Sequence, residues 1–208
     1  MSVAYENGSA SAAQSLPETR RERRKREVHD RIVDAAVPLF ERQGFAATTA
    51  LEIADAADVA EKTFYNHFPT KQHLIEELAR ESLERLMTQL VAARVAGGTP
   101  RERLLRFFAS AADEATGSSR PLARELILEW IRVSQVDGAE DRRLHDAFAE
   151  LFDGGGDARA RDFLTDMAVA TYTGIMMNWL GRSDYPLRER LFAAARLLSD
   201  AIPKKETR

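Results

Sequence analysis

Residues 49–71 read TALEIADAADVAEKTFYNHFPTK, and the remainder of the chain is arranged to hold and move them. Thr49 followed three residues later by Glu52 makes a capping box: the hydroxyl accepts from a first-turn N–H, and the carboxylate reaches back to the Thr49 N–H. A helix is therefore predicted from about Ala50, with Ile53, Ala54 and Ala57 inward, and Ala54 is small enough for a second helix to cross at close range. Asp58 falls where the chain must turn sharply, and Asp is among the few residues besides Gly that tolerate a left-handed backbone. Val59 then plugs the turn against the core. A second short helix is predicted over residues 61–68, with Phe64 and Phe68 inward at i, i+4 and Lys62, Thr63, Tyr65 and Asn66 outward. Pro69 ends it. Two short helices joined by a tight turn, the second carrying small polar, basic and phenolic groups on its free face, form a helix-turn-helix whose second helix suits a DNA major groove. An ordinary hairpin of a helical bundle is the alternative for the same pattern.

The pair Thr48-Thr49, the Ile53-Ala54 core and the run from Thr63 through Phe64, Tyr65, Asn66, His67, Phe68, Pro69 and Thr70 to Lys71 resemble the tetracycline-repressor (TetR) family. The likeness is close over residues 28–80 and extends beyond them only in layout. Asp58 stands where that family usually has Gly, and Glu61 where it often has a basic or small residue. The resemblance implies an all-α fold of about nine helices, with a helix-turn-helix DNA-binding domain over residues 19–70 and a helical effector-binding and dimerisation domain over 71–208. It also implies that Thr49 and Tyr65 bind phosphates, with Lys71 and His67 at the groove edge. Lys62, Thr63 and Asn66 are the candidates for base edges, since Asn suits adenine and Lys suits guanine. The eighth and ninth helices would pair with their copies in a homodimer as a four-helix bundle, through Gly174, Met177, Leu191 and Leu198.

Net charge is −3, which argues against nucleic acid until its distribution is read. Residues 20–75 carry 10 Lys and Arg against 9 Asp and Glu, and the rest carry 20 against 24. The stretch RRERRKR (20–26) holds six of those bases, so Arg23, Arg24, Lys25 and Arg26 are expected to lie along DNA phosphates as a basic arm. Hydrophobic residues make up 44% of 208, enough for a good core, and the abundance of Ala, Leu, Arg and Glu suits an all-helical chain. With no cysteine, disulfides, thiolate metal sites and thiol nucleophiles are excluded. Neither a secretory leader nor a run of about 18 apolar residues occurs, so a cytoplasmic protein without a membrane span is expected.

Residues 1–18 are rich in Ser, Ala and Asn without periodicity and read as a disordered tail. The first helix is predicted from Thr19, capped with Glu22, to Gln43, with Val28, Ile32, Ala35, Ala36, Leu39 and Phe40 buried and Gly44 as its C-cap. Pro38 inside that pattern predicts a kink. Thr70 caps a long connecting helix to about Ala96, and Gly97, Gly98 and Pro100 break it. Further helices are predicted over residues 101–116, 121–134, 140–152, 158–181 and 186–202. Phe163 and Met167 are among their inward positions, as are Leu104, Leu122, Leu144 and Leu187. Gly154, Gly155 and Gly156 form a flexible link, because a phosphate-cradling loop would need a preceding strand and a following Gly-Lys-Ser/Thr.

The four histidines show no metal-ligand spacing, and His73 with Glu77 supplies two ligands where a site needs more. No catalytic motif, metal site or cofactor signature is found, so no enzyme is predicted. Aromatic and Met side chains at core-facing positions, namely Phe107, Phe108, Trp130, Phe148, Tyr172 and Met176, are the candidates for an apolar small-molecule cavity inside helices four to eight. The Tyr172 hydroxyl and Asn178 would orient the ligand, expected to be uncharged or weakly polar. The expectation is a homodimeric regulator, a repressor binding a palindromic double-stranded DNA operator and released by a small-molecule effector. An effector-independent chromosome-binding protein and a helical ligand-binding module without DNA binding remain open as other classes.

Overall fold

The computed structural model describes residues 19–117 and 119–203, so the tail predicted over 1–18 lies outside the described residues. Among these residues no strand occurs, and the helices are α1 (Arg20–Gln43), α2 (Ala50–Ala56), α3 (Glu61–His67), α4 (Lys71–Val95), α5 (Pro100–Gly117), α6 (Arg120–Asp137), α7 (Ala139–Ala149), α8 (Ala158–Gly181) and α9 (Leu187–Asp200). A 3-10 turn, Glu150–Phe152, tightens the end of the segment predicted as helix to residue 152, a common ending for an α-helix.

Local chemistry sets the helix starts. At Thr19 the N–H donates to Glu22 Oε2 at 2.8 Å while the Glu22 N–H donates to Thr19 Oγ1 at 3.2 Å. The same reciprocal pair forms at Thr49 and Glu52, with distances of 2.7 and 3.2 Å. A third box, Thr99 with Glu102, starts α5 one residue earlier than predicted, with Pro100 in the first helical position where its missing N–H costs nothing. At the other end of α1, Gly44 adopts φ +82° and its N–H closes onto the Phe40 carbonyl at 2.9 Å. α1 runs through Pro38 to Gln43.

Two apolar cores result. The first joins Ile32, Ala36, Leu39 and Phe40 of α1 to Ile53 and Ala54 of α2, Phe64 of α3, Phe68, and Leu74, Ile75 and Leu78 of α4. It also includes Leu122 of α6, with Leu126 against it. The second is built around Phe107, Phe108, Phe148, Phe152 and Leu191, with Ile127 and Trp130 of α6 packed onto it. α4 and α6 therefore belong to both cores, and they lie against each other. Arg106 closes the C-terminal end of α4 by donating to the Ala93 and Gly97 carbonyls, each at 2.7 Å.

Helix phase corrects several expectations at the far end. In α8 the buried positions are Leu164, Thr165, Ala168, Met176 and Trp179. Phe163 and Met167, predicted to face inward, are instead 63% and 43% exposed, because residues one position away take the core side. In α9, Leu191 and Leu198 are buried in the chain's own core against α5 and α8, so they are not free to meet a second subunit as predicted. Leu197, next to Leu198, is 72% exposed.

Candidate nucleic-acid interface and adjoining cavity

The turn between α2 and α3 depends on Asp58, whose φ of +52° is the left-handed conformation required there. Val59 follows, its N–H closing onto the Ala54 carbonyl at 3.0 Å. Phe64 and Phe68 are buried beneath α3, and Tyr65 meets Phe64 edge-on with ring centroids 5.4 Å apart. The opposite side of α3 presents Lys62, Tyr65 and Asn66 to solvent, Tyr65 at 47% exposure, while Thr63 and His67 are half-buried. Thr49 is spent on the capping box, although its side chain remains exposed at the start of α2. The basic residues 20–26 form the exposed first two turns of α1, as the Thr19 cap predicts, with Arg23 and Glu27 4.0 Å apart along the helix.

Two predicted contact residues have internal duties. The Lys71 ammonium donates to the carbonyls of Phe45 and Thr48 at 2.5 and 2.6 Å and sits 4.3 Å from the Phe45 ring centroid. It thereby ties the loop between α1 and α2 to the first turn of α4. Burial lowers its pKa, an effect the Glu52 carboxylate opposes. These two bonds hold the ammonium against the loop and leave one of its three N–H groups for the phosphate contact expected of it. His67 lies beside His29, ring centroids 5.9 Å apart, and His29 in turn stacks on Phe68 and bonds Glu77 of α4 at 2.5 Å. Burial first, then the neighbouring His29 and Lys25, hold the His67 imidazole below its ordinary range.

Behind this unit is a cavity of about 450 Å³. Of the residues proposed from sequence, Trp130, Tyr172 and Met176 line it, and so does Met177, which the sequence reading assigns to the subunit interface. Phe107, Phe108 and Phe148 do not: they are fully buried behind the wall, packed edge-on with one another and against Tyr172. Asn178 turns outward and donates to the Gly174 carbonyl at 2.7 Å, so it does not orient a ligand here. Burial, with the Glu114 carboxylate nearby, pushes the Tyr172 phenol up and keeps it a neutral donor. Sequence reasoning missed the α1 wall, Val33 and Val37. Their i, i+4 spacing beside the Ile32 and Ala36 stripe was the available signal, a second apolar face on one helix.

A solvent-facing recognition helix anchored by two phenylalanines, a basic helix start beside it and a cavity sharing its supporting helices define a helix-turn-helix DNA-binding protein. Residues 32–78 match the family model described as bacterial regulatory proteins, tetR family. The HTH-type transcriptional repressors KstR of Mycolicibacterium smegmatis and Mycobacterium tuberculosis are each 28% identical to this chain over 188 residues, covering 87% of it and 89% and 82% of theirs. Among solved structures, Thermus thermophilus FadR, a TetR-family transcriptional repressor in complex with lauroyl-CoA, is 26% identical with a TM-score of 0.55, covering 86% of this chain and 97% of its own. SmeT, the repressor of the Stenotrophomonas maltophilia multidrug efflux pump SmeDEF, shares the fold at 19% identity and a TM-score of 0.69, over 86% and 93% of the two chains. Residues 32–78 form a tetR-family DNA-binding segment, and the chain is a DNA-binding transcriptional regulator. No helix among the described residues is long and apolar enough to cross a membrane.

Proposed function

We propose that this regulator acts as a homodimeric repressor in the cytoplasm, binding a palindromic operator and leaving it when a small molecule fills the cavity. The observation that carries the DNA reading is the outward face of α3, where Lys62, Tyr65 and Asn66 are exposed around two buried Phe anchors. Thr63 lies within the same turn. Tyr65 and Thr49 would position the protein on phosphates, the exposed bases of α1 (Arg23, Arg24, Lys25 and Arg26) would add sequence-independent attraction, and Lys62 and Asn66 would read base edges. His67 contributes as a neutral side chain at the groove edge. Lys71 acts one step removed, by fixing the loop that leads into α2.

Pairing is supported by the apolar surface left open on α8 and α9: Phe163, Met167 and Leu197 are exposed, and a Cβ built on Gly174 meets nothing within 4 Å. Such a face is what a second copy would cover in an isologous four-helix arrangement. The proposed division places DNA binding in residues 19–70 and effector binding with dimerisation in 71–208, the two joined by the shared helices α4 and α6. The test is selection of bound sequences from random duplex DNA by the full chain. An inverted repeat with half-sites about one helical turn apart is the expected product, and recovery of no motif would favour the chromosome-binding alternative.

A further inference from the structure

The cavity combines an apolar interior with an acidic mouth. Its walls include Leu86, Ile127, Trp130, Tyr172, Met176 and Trp179, enough to enclose the hydrocarbon part of a drug-sized molecule. The charged groups at its edge are four carboxylates, Asp34, Glu41, Glu81 and Glu114, against one guanidinium, Arg85. Arg85 is already engaged, its Nε 3.3 Å from Glu114 Oε1. Asp34, Glu41 and Glu81 are exposed and engage no partner among the described residues. Further in, Gln89 Oε1 and Trp130 Nε1 are buried polar atoms with no hydrogen-bond partner. A buried acceptor of this kind is costly unless a ligand or water donates to it.

We infer that the effector is a cationic amphiphile, a protonated amine on an apolar body, with the body between α6 and α8 and the ammonium toward the carboxylates of α1 and α4. This rests on the assignment of the cavity as the effector site and departs from the uncharged ligand expected from sequence, because α1 brings Asp34 and Glu41 to a cavity that sequence confined to helices four to eight. An ammonium at the mouth gains attraction from carboxylates that otherwise have only solvent. A carboxylate head, or the phosphates of a CoA thioester, would meet the same groups as repulsion. The preference would set this regulator apart from Thermus thermophilus FadR with its bound lauroyl-CoA.

The chain has two tryptophans, Trp130 and Trp179, and both line the cavity, so intrinsic fluorescence reports its occupancy directly. The full chain is titrated at neutral pH with decylamine, decan-1-ol and decanoate, equal in chain length and each kept below its micelle concentration. Decylamine is expected to bind at least about tenfold more tightly than decanoate, with decan-1-ol between them, and that ratio is expected to fall below about threefold in a Glu41→Gln/Glu81→Gln variant. Asp34→Asn gives the same comparison should the double variant fold poorly. If decanoate equals or exceeds decylamine in the wild type, the charge inference is overturned while the cavity remains the effector site. If the amine preference survives neutralisation of the mouth, the assignment to these carboxylates is wrong. Failure of all three probes to perturb the fluorescence would overturn the assignment of the cavity itself.

Discussion

Lys71 directs its charge inward, and this separates it from the exposed side chains nearby. Replacing it with Ala would leave two loop carbonyls without a donor, at a cost of about 1–3 kcal/mol. Thermal denaturation is expected to register that cost, with the selected DNA motif unchanged. Asn66→Ala should do the opposite, keeping stability and relaxing preference at one base pair by about 1–3 kcal/mol, as measured by binding to single-substituted operators. A wild-type motif from Asn66→Ala would remove Asn66 from base reading. His67 makes a prediction about pH. Its pKa in the folded chain lies below the ordinary histidine value of 6.5, so the unfolded chain takes up the proton first. Its contribution to stability is whole above that value and is lost as pH falls from it toward the folded pKa. His67→Gln should therefore show a shallower decline between about pH 7 and 5 in chemical denaturation, and an unaltered slope would place the acid sensitivity elsewhere. At this scale the caps were legible because Thr-x-x-Glu is a local code: Thr49 with Glu52 and Thr19 with Glu22 form as read, and the same code at Thr99 was there to be read. The inward turn of Lys71 was not legible, since its partners are the carbonyls of residues 23 and 26 positions away.

At the scale of the element, α1 carries the exposed basic start proposed to meet phosphates and also forms a wall of the cavity. Its first two turns hold the Arg and Lys side chains in helical register instead of on a flexible arm, so their contribution to DNA binding should follow their number. Exchanging Arg20, Arg21, Arg23 and Arg24 for Gln is expected to lower the slope of log K against log salt by about 0.9 for each phosphate that is no longer neutralised. An unchanged slope would take the helix start out of the interface. Helix phase was the harder thing to read. In α8, most positions from Phe163 onward are apolar or small, so periodicity alone chose Phe163 and Met167 for the core when Leu164 and Ala168 occupy it. In α3, where polar and apolar residues alternate clearly, the same procedure placed Phe64 inward and Lys62, Tyr65 and Asn66 outward in agreement with the fold.

At the scale of the whole molecule, the open apolar face of α8 and α9 and the buried face of the same helices make distinct predictions. Phe163→Asp together with Leu197→Asp should give a folded monomer by light scattering, with operator affinity lost, because each changes a side chain that has solvent around it. Leu191→Asp should unfold the C-terminal core instead, since that side chain is fully buried and a lone charge there has no partner. A dimer surviving both surface changes would move the interface to another face. The bounds of α4 were legible from the Thr70 cap and from the break at Gly97 and Gly98. That α6 joins the first core was not, because Leu122 reaches it across a separation in sequence that no local pattern encodes.

That placement has a genetic reading. Leu122 sits in the core beneath the recognition helix and Trp130 in the cavity wall, eight residues and about 12 Å apart on one helix. A rigid rod of that length cannot shift at one end and stay still at the other. Alleles locked on the operator, or unable to hold it, should therefore be recovered at Leu122 and Leu126 in a screen for constitutive or uninducible reporters, although neither side chain touches the face proposed for DNA. Such alleles would trade places on exchange of a bulkier for a smaller residue, shifting the set-point of the switch and, because both side chains also line the cavity, its effector affinity with it.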